Sequence, residues 1–161
     1  MSPRLTISAA ILLAFLSSTA LAEPVAGATT KPAKSQAELD TWFAKTMSNA
    51  TLEGSFNVKG SDAAPKADKY KLGEVARKDG DQWVINATMQ FAGREISVPI
   101  QLPVKWAGDT PVITVDNVGI PGHGSYNARV MIFGDEYVGI WSNTAGTHGG
   151  QMWGRVTHEK P

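Results

Sequence analysis

The middle of the chain alternates between apolar and polar residues over two consecutive segments. The odd-numbered positions of 83–91 are apolar, and so are the even-numbered positions of 96–106. Successive side chains of a β-strand point to opposite faces, so each segment predicts a strand with one apolar face. A short break with Gly93 at its centre lies between them and supplies the turn of a long β-hairpin.

The same two-residue period continues on both sides of this hairpin and predicts eight strands. They are expected at 51–58, 69–77, 83–91, 95–106, 110–118, 125–133, 137–142 and 151–158. Because the connections are short and contain no helical pattern, neighbouring strands must be antiparallel. Eight such strands can close into an up-and-down barrel without a free edge. We therefore expect an all-β fold, an eight-stranded antiparallel meander barrel with one N-terminal helix. A β-sandwich is the alternative.

A single helix is predicted over 35–50, ahead of the first strand. Ser35 and Glu38 have the spacing of a capping box, in which each side chain satisfies a free backbone N–H of the other residue. The apolar residues that follow at helical spacing are Leu39, Trp42, Phe43, Met47 and Ala50. This stripe is expected to cover the barrel end where the first strand begins, above Trp83 and Trp106.

The N-terminal segment has the pattern of a secretory signal peptide over 1–22. Arg4 precedes an apolar run at 7–16, and Ala20 and Ala22 form a small-residue cleavage site. The run is too short for a membrane-spanning helix, although an uncleaved anchor is the alternative. A flexible linker over 23–34 and one barrel domain over 35–161 are expected to follow. Cleavage near Ala22 predicts a periplasmic or extracellular protein without a membrane anchor.

Composition excludes several functions. The 15 basic residues equal the 15 acidic ones, and no basic stripe is present that would bind nucleic acid. The chain has no cysteine, which excludes disulfides and thiolate metal sites. No Gly-x-Ser-x-Gly nucleophile motif occurs either, and no catalytic residue or cofactor is predicted.

The predicted loops differ strongly between the two barrel ends. The loops at 59–68, 119–124 and 143–150 share one end, which we call the mouth, whereas the connections at the other end are tight turns. This arrangement resembles that of calycins, the lipocalins and their relatives, in which ligands enter at the loop-rich end. The resemblance implies binding of a small or apolar ligand.

Two glycine- and tryptophan-rich segments near the C-terminus carry a second resemblance. They are Gly139-Ile140-Trp141 and Gly150-Gln151-Met152-Trp153-Gly154-Arg155. Together they look like a signature of uncharacterised exported bacterial proteins. Lipocalins carry a Gly-x-Trp on the first strand, whereas here it stands on the seventh, and the first strand has Gly54-Ser55-Phe56.

Four residues near the mouth are candidate ligand contacts: Phe91, His123, Trp141 and His148. The two histidines and Asp62 could form a metal site, but their spacing matches no metal motif, so no metal is predicted. An enzyme that uses both histidines is a further alternative.

Trp153 and Arg155 share the outward parity of the last strand and are candidates for binding an envelope protein partner. The corresponding alternative function is a structural or protein-interaction module of the envelope whose barrel is filled by large side chains.

A separate expectation concerns Pro99 and Pro103, which cannot donate to a sheet ladder. One side of their strand should therefore be partly unpaired or bulged.

Overall fold

The computed structural model describes residues 33–91 and 94–159, which form one helix and eight strands. Every strand pairs antiparallel with the next, and β1 also pairs with β8. The closed barrel predicted from the sequence is confirmed, and the β-sandwich is wrong. The elements are α1 (Gln36–Met47), β1 (Ala50–Phe56), β2 (Lys66–Asp79), β3 (Gln82–Phe91), β4 (Arg94–Ala107), β5 (Thr110–Ile120), β6 (Gly124–Phe133), β7 (Glu136–Asn143) and β8 (Gly149–His158).

Three predicted features lie wholly or mostly outside the described residues. Two of them are the signal peptide at 1–22 and nearly all of the linker, up to residue 32. The turn around Gly93 is the third. No helix among the residues that the structure describes is long and apolar enough to cross a membrane.

Helix α1 begins where its capping box predicts. The backbone N–H of Ser35 donates to Glu38 Oε2 at 2.8 Å, and the Glu38 N–H donates to Ser35 Oγ at 3.3 Å. The helix is shorter than the predicted 35–50, because Asn49 adopts a positive φ of 56° and Ala50 already belongs to β1. A left-handed residue of this kind is a common way to end a helix.

The helix closes one end of the barrel, as its apolar stripe predicts. Phe43 and Met47 are both 0 % exposed. The Phe43 ring meets Trp83 edge-on at a centroid distance of 4.8 Å and Trp106 at 6.2 Å. Such edge-to-face pairs add to the stabilisation that burial of the rings provides. The two tryptophans of the central hairpin thus belong to the closed floor of the barrel.

The wall is incompletely paired between β4 and β5. Within the described part of the chain, β4 pairs with β3 from Arg94↔Phe91 to Pro103↔Gln82, but with β5 only from Val104↔Ile113 to Ala107↔Thr110. The Val104 N–H donates to Asp81 O on the β3 side at 2.9 Å. Because backbone N–H groups alternate in direction along a strand, Pro103 and Pro99 lack the N–H that would face β5. The predicted effect of these prolines is confirmed, and it falls on the β5 side.

Candidate functional site

The mouth half of the barrel is hollow. A cavity of about 430 Å³ lies inside the wall, and all eight strands contribute to its lining. Its largest aliphatic lining side chains include Leu52, Leu72, Ile100, Leu102, Ile113 and Ile120. The lumen near the helix is filled instead, since Trp83, Val104 and Ile132 are each 1 % exposed. Among the side chains that the structure describes, large ones therefore fill the barrel at its floor.

Three aromatic residues from three strands meet at the mouth end of the cavity. Trp141 on β7 packs edge-on against Phe56 at 5.9 Å and lies 6.3 Å from Tyr126, measured between ring centroids. The indole Nε1 of Trp141 is buried and has no hydrogen-bond partner. Trp141 was a candidate ligand contact from the sequence, and the structure places it in the cavity lining.

One carboxyl group lies in this mostly apolar cavity. Asp68 on β2 is 8 % exposed and belongs to the lining. Its Oδ1 accepts a hydrogen bond from the Tyr137 hydroxyl at 2.8 Å, whereas its Oδ2 is buried without a partner. The ion pairs found within the described residues do not include Asp68.

Two glycines allow Tyr137 to reach Asp68. Tyr137 on β7 pairs with Gly154 on β8, which pairs with Gly54 on β1, which pairs with Asp68 on β2. A Cβ atom at Gly54 would lie 2.7 Å from the Tyr137 hydroxyl oxygen, and one at Gly154 would lie 2.7 Å from Tyr137 Cε1. The phenol ring therefore lies flat on a strip of wall that has no side chains.

Burial controls the electrostatics of this group. It raises the pKa of the Asp68 carboxyl, and the hydroxyls of Tyr137 and Tyr70 act in the opposite direction. Burial also raises the pKa of both phenols, and the nearby carboxylate raises it further. The tyrosines thus remain protonated donors, while Asp68 is the group whose charge responds to its surroundings.

No protein-family model and no curated protein matches this chain. The architecture, a closed eight-stranded antiparallel barrel with one helix, is consistent with a calycin-like barrel. The function must consequently be argued from the cavity and from the side chains that line it.

The two candidate histidines are not part of the described cavity lining. His148 is exposed in the β7–β8 loop, with its Nδ1 3.0 Å from Thr147 Oγ1. His123 is half-buried in the β5–β6 turn, where its carbonyl accepts from the Tyr126 hydroxyl at 3.0 Å. Phe91 ends β3, but its side chain is outside the described set. The described residues contain no group of three potential metal ligands.

Trp153 and Arg155 both lie on the outer face of β8. The guanidinium of Arg155 pairs with Asp135 at 3.2 Å and with Glu136 at 3.8 Å. Trp153 is 39 % exposed and belongs to a group of exposed apolar side chains on β6, β7 and β8, which we call the outer apolar patch. Its members are Met131, Phe133, Val138, Ile140 and Trp153.

Asp68 lines the cavity, but the sequence analysis did not identify it as a candidate site residue. The sequence placed it in a polar loop, but β2 begins at Lys66, so Asp68 is a strand residue. It shares the inward parity of Tyr70 and Leu72, two and four residues further on. Extending the alternation backwards by one step would have found it.

Proposed function

We propose that this chain is an exported, non-enzymatic binding protein that holds a small, largely apolar molecule in the mouth half of its barrel. The observation that carries the proposal is the hollow lumen. Its volume of about 430 Å³ falls within the range of small-molecule sites, about 300–1,000 Å³. The proposal agrees with the resemblance to calycins and to exported bacterial proteins.

The chemistry of the lining supports binding over catalysis. Most of the lining side chains are aliphatic or aromatic, and the part that the structure describes includes no histidine, serine or threonine. Removal of such a surface from water favours an apolar ligand by about 25 cal/mol per Å² buried. The helix-covered floor leaves the mouth as the side from which a ligand enters.

Dye binding with a cavity-filling variant tests this proposal. Nile red, an apolar dye whose fluorescence increases in apolar surroundings, should bind saturably to the wild-type protein. Ala128→Phe adds a ring inside the cavity and should abolish binding, whereas Ala76→Phe adds the same ring on the exposed outer face of β2. Urea unfolding of both variants establishes that they are folded. Equal dye binding by folded Ala128→Phe and wild type would contradict the proposal.

Native mass spectrometry of protein purified from its host gives an independent test. We expect a mass that corresponds to a chain beginning at Glu23, together with an additional non-covalent mass from the bound molecule. A chain that retains residues 1–22 would contradict export with cleavage near Ala22. Protein that is consistently empty would count against a resident ligand.

The outer apolar patch favours a second candidate function, the docking of an envelope protein. Phe133 is 71 % exposed and Ile140 is 61 % exposed, and Met131, Val138 and Trp153 follow one another across the paired strands. Contiguous apolar surface of this kind is typical of interaction sites. Ile140→Glu and Trp153→Ala should reduce recovery of a co-purifying partner, while Gln101→Glu on the exposed face of β4 should not. Unchanged recovery of the partner with both variants would show that the outer apolar patch is not its docking site.

A further inference from the structure

Two residues of the cavity lining each carry a buried polar atom without a hydrogen-bond partner, Asp68 Oδ2 and Trp141 Nε1. Buried polar atoms nearly always have a hydrogen-bond partner, and an unmet one costs about 1–3 kcal/mol. Both residues belong to the lining, so a molecule bound in the cavity is the nearest source of the missing partners. Trp141 Nε1 is a donor only, whereas Asp68 Oδ2 is an acceptor when the carboxyl is ionised.

Of these two residues, Asp68 says more about the ligand, because its carboxyl group can carry a charge. Its other oxygen already accepts from Tyr137, which holds the carboxylate in place. The Tyr70 hydroxyl is a second polar neighbour of this carboxyl, but no hydrogen bond is formed at Oδ2. The one cationic residue in the described lining is Lys66, and it is exposed. A buried carboxylate is stabilised most by a cation that also donates a hydrogen bond.

The aromatic residues of the mouth suit the same kind of ligand. Phe56, Tyr126 and Trp141 line the cavity, and two of the three ring pairs they can form are in contact around Trp141. The faces of such rings attract cations. The aliphatic remainder of the wall suits an apolar chain or ring system.

We propose that the barrel binds an apolar molecule with a protonated amine as its head group, and that Asp68 is the residue that anchors this amine. The ammonium donates to Asp68 Oδ2 and neutralises the carboxylate. The apolar part of the molecule occupies the aliphatic cavity. Trp141 Nε1 donates to an acceptor elsewhere on the same molecule. This inference rests on the proposed function and adds the chemical class of the ligand.

Three probes with the same alkyl chain test the head group: decylamine, decanol and decanoic acid. Each is titrated against Nile red bound to the wild-type protein at neutral pH. Because a hydrogen bond to a charged group contributes about 1.5–3 kcal/mol, decylamine should displace the dye at a concentration at least about tenfold lower than decanoic acid. Decanol, which donates without a charge, should fall between them. Equal displacement by all three probes would overturn the inference.

A single substitution should reverse this order. In Asp68→Asn the amide oxygen can still accept from Tyr137, and the amide nitrogen then presents N–H groups to the cavity. Decylamine should lose about tenfold in affinity, and decanoic acid should gain. Glu53→Gln removes the same charge from the exposed outer face of β1, where Glu53 pairs with Lys69, and should leave the order unchanged.

The outcomes separate the inference from the proposed function. If Nile red binds but Asp68→Asn keeps the wild-type affinity for decylamine, the amine site is wrong and the binding barrel stands. If neither the dye nor any probe binds to the wild-type protein, the proposed function fails as well. Should Asp68→Asn not fold, the order of the three probes on the wild-type protein still decides the inference.

Discussion

The Tyr137 hydroxyl on β7 donates to Asp68 Oδ1 on β2 at 2.8 Å, across the two strands that lie between them. Those two strands are β8 and β1, whose pairing closes the barrel. The side-chain contact therefore spans the seam at which the last strand meets the first. It also fixes the carboxyl group that we propose to be the ligand anchor.

Loss of this hydrogen bond should destabilise the protein. Tyr137→Phe keeps the ring but removes the donor, which leaves Oδ1 of Asp68 without its partner, as Oδ2 already is. We expect the free energy of unfolding, measured by urea denaturation, to fall by about 1–3 kcal/mol. Tyr126→Phe is the matched control, because its hydroxyl donates to a backbone carbonyl in a half-buried turn and should matter less. A wild-type stability for Tyr137→Phe would show that the contact does not secure the seam.

The glycine strip under Tyr137 gives a second prediction. A Cβ at Gly54 would lie 2.0 Å from the backbone oxygen of Trp153, and this neighbour cannot move without shifting β8. Gly54→Ala should therefore cost about 3 kcal/mol or more. Gly119→Ala provides the comparison, since its nearest contact would be Ser125 Oγ at 3.8 Å, an ordinary distance. Similar unfolding midpoints for the two variants would contradict this account of the strip.

The buried carboxyl should make stability depend on pH. Because burial raises the pKa of Asp68 above its ordinary 3.8, the folded protein binds this proton more tightly than the unfolded chain. The stabilising contribution is complete below the ordinary value and is lost as the pH rises through the higher folded value. The free energy of unfolding of wild type minus that of Asp68→Asn should therefore decrease as the pH rises from about 4.

Two other carboxyls act in the opposite sense but cancel in this difference. Hydrogen bonds from Ser35 lower the pKa of Glu38, and the Lys105 side chain lowers that of Asp81. Both groups are unchanged in the Asp68→Asn variant. Urea unfolding of the two proteins across a series of pH values provides the measurement. A difference that stays constant, or that increases with pH, would contradict the assigned direction.

The floor of the barrel should be far more sensitive than its outer wall. Phe43→Ala empties the space beneath Trp83 and Trp106 and should cost about 3–5 kcal/mol. Phe133→Ala removes the same ring from a position that is 71 % exposed and should change stability by no more than about 0.5 kcal/mol. Thermal and urea unfolding of the pair check the contrast. Comparable losses would mean that the helix does not act as the floor.

Much of the fold was predictable because one face of each strand is apolar. The alternation at 83–91 and 96–106 located the central hairpin, and the capping box located the start of α1. Asp68 shares the parity of Tyr70 and Leu72, but it was missed because a polar residue at that position is typical of a loop. The Tyr137 hydroxyl, 69 residues further along the chain, stabilises the buried carboxyl group of Asp68 by a hydrogen bond. No local sequence pattern reveals a partner so distant in the chain.

The candidate ligand contacts also show that sequence periodicity gives the direction of strand side chains but not of loop side chains. Trp141 was placed correctly near the mouth because it precedes a long loop, and the structure puts its ring in the lining. His123 and His148 also fall in mouth loops, but the direction of a loop side chain follows from turn geometry and not from periodicity. The outer apolar patch was only partly visible, because β7 is apolar on both parities and its faces cannot be told apart by alternation.

The unpaired side of β4 has a consequence for how copies of this protein behave in concentrated solution. A strand edge with free backbone donors can pair with the edge of another molecule and start aggregation. Pro99 and Pro103 remove two such donors and so keep this edge from acting as a template. Joint replacement by valine should cause self-association, detected by light scattering, whereas Pro121→Val in the β5–β6 turn should not. A double variant that stays monomeric would show that another feature keeps the molecules apart.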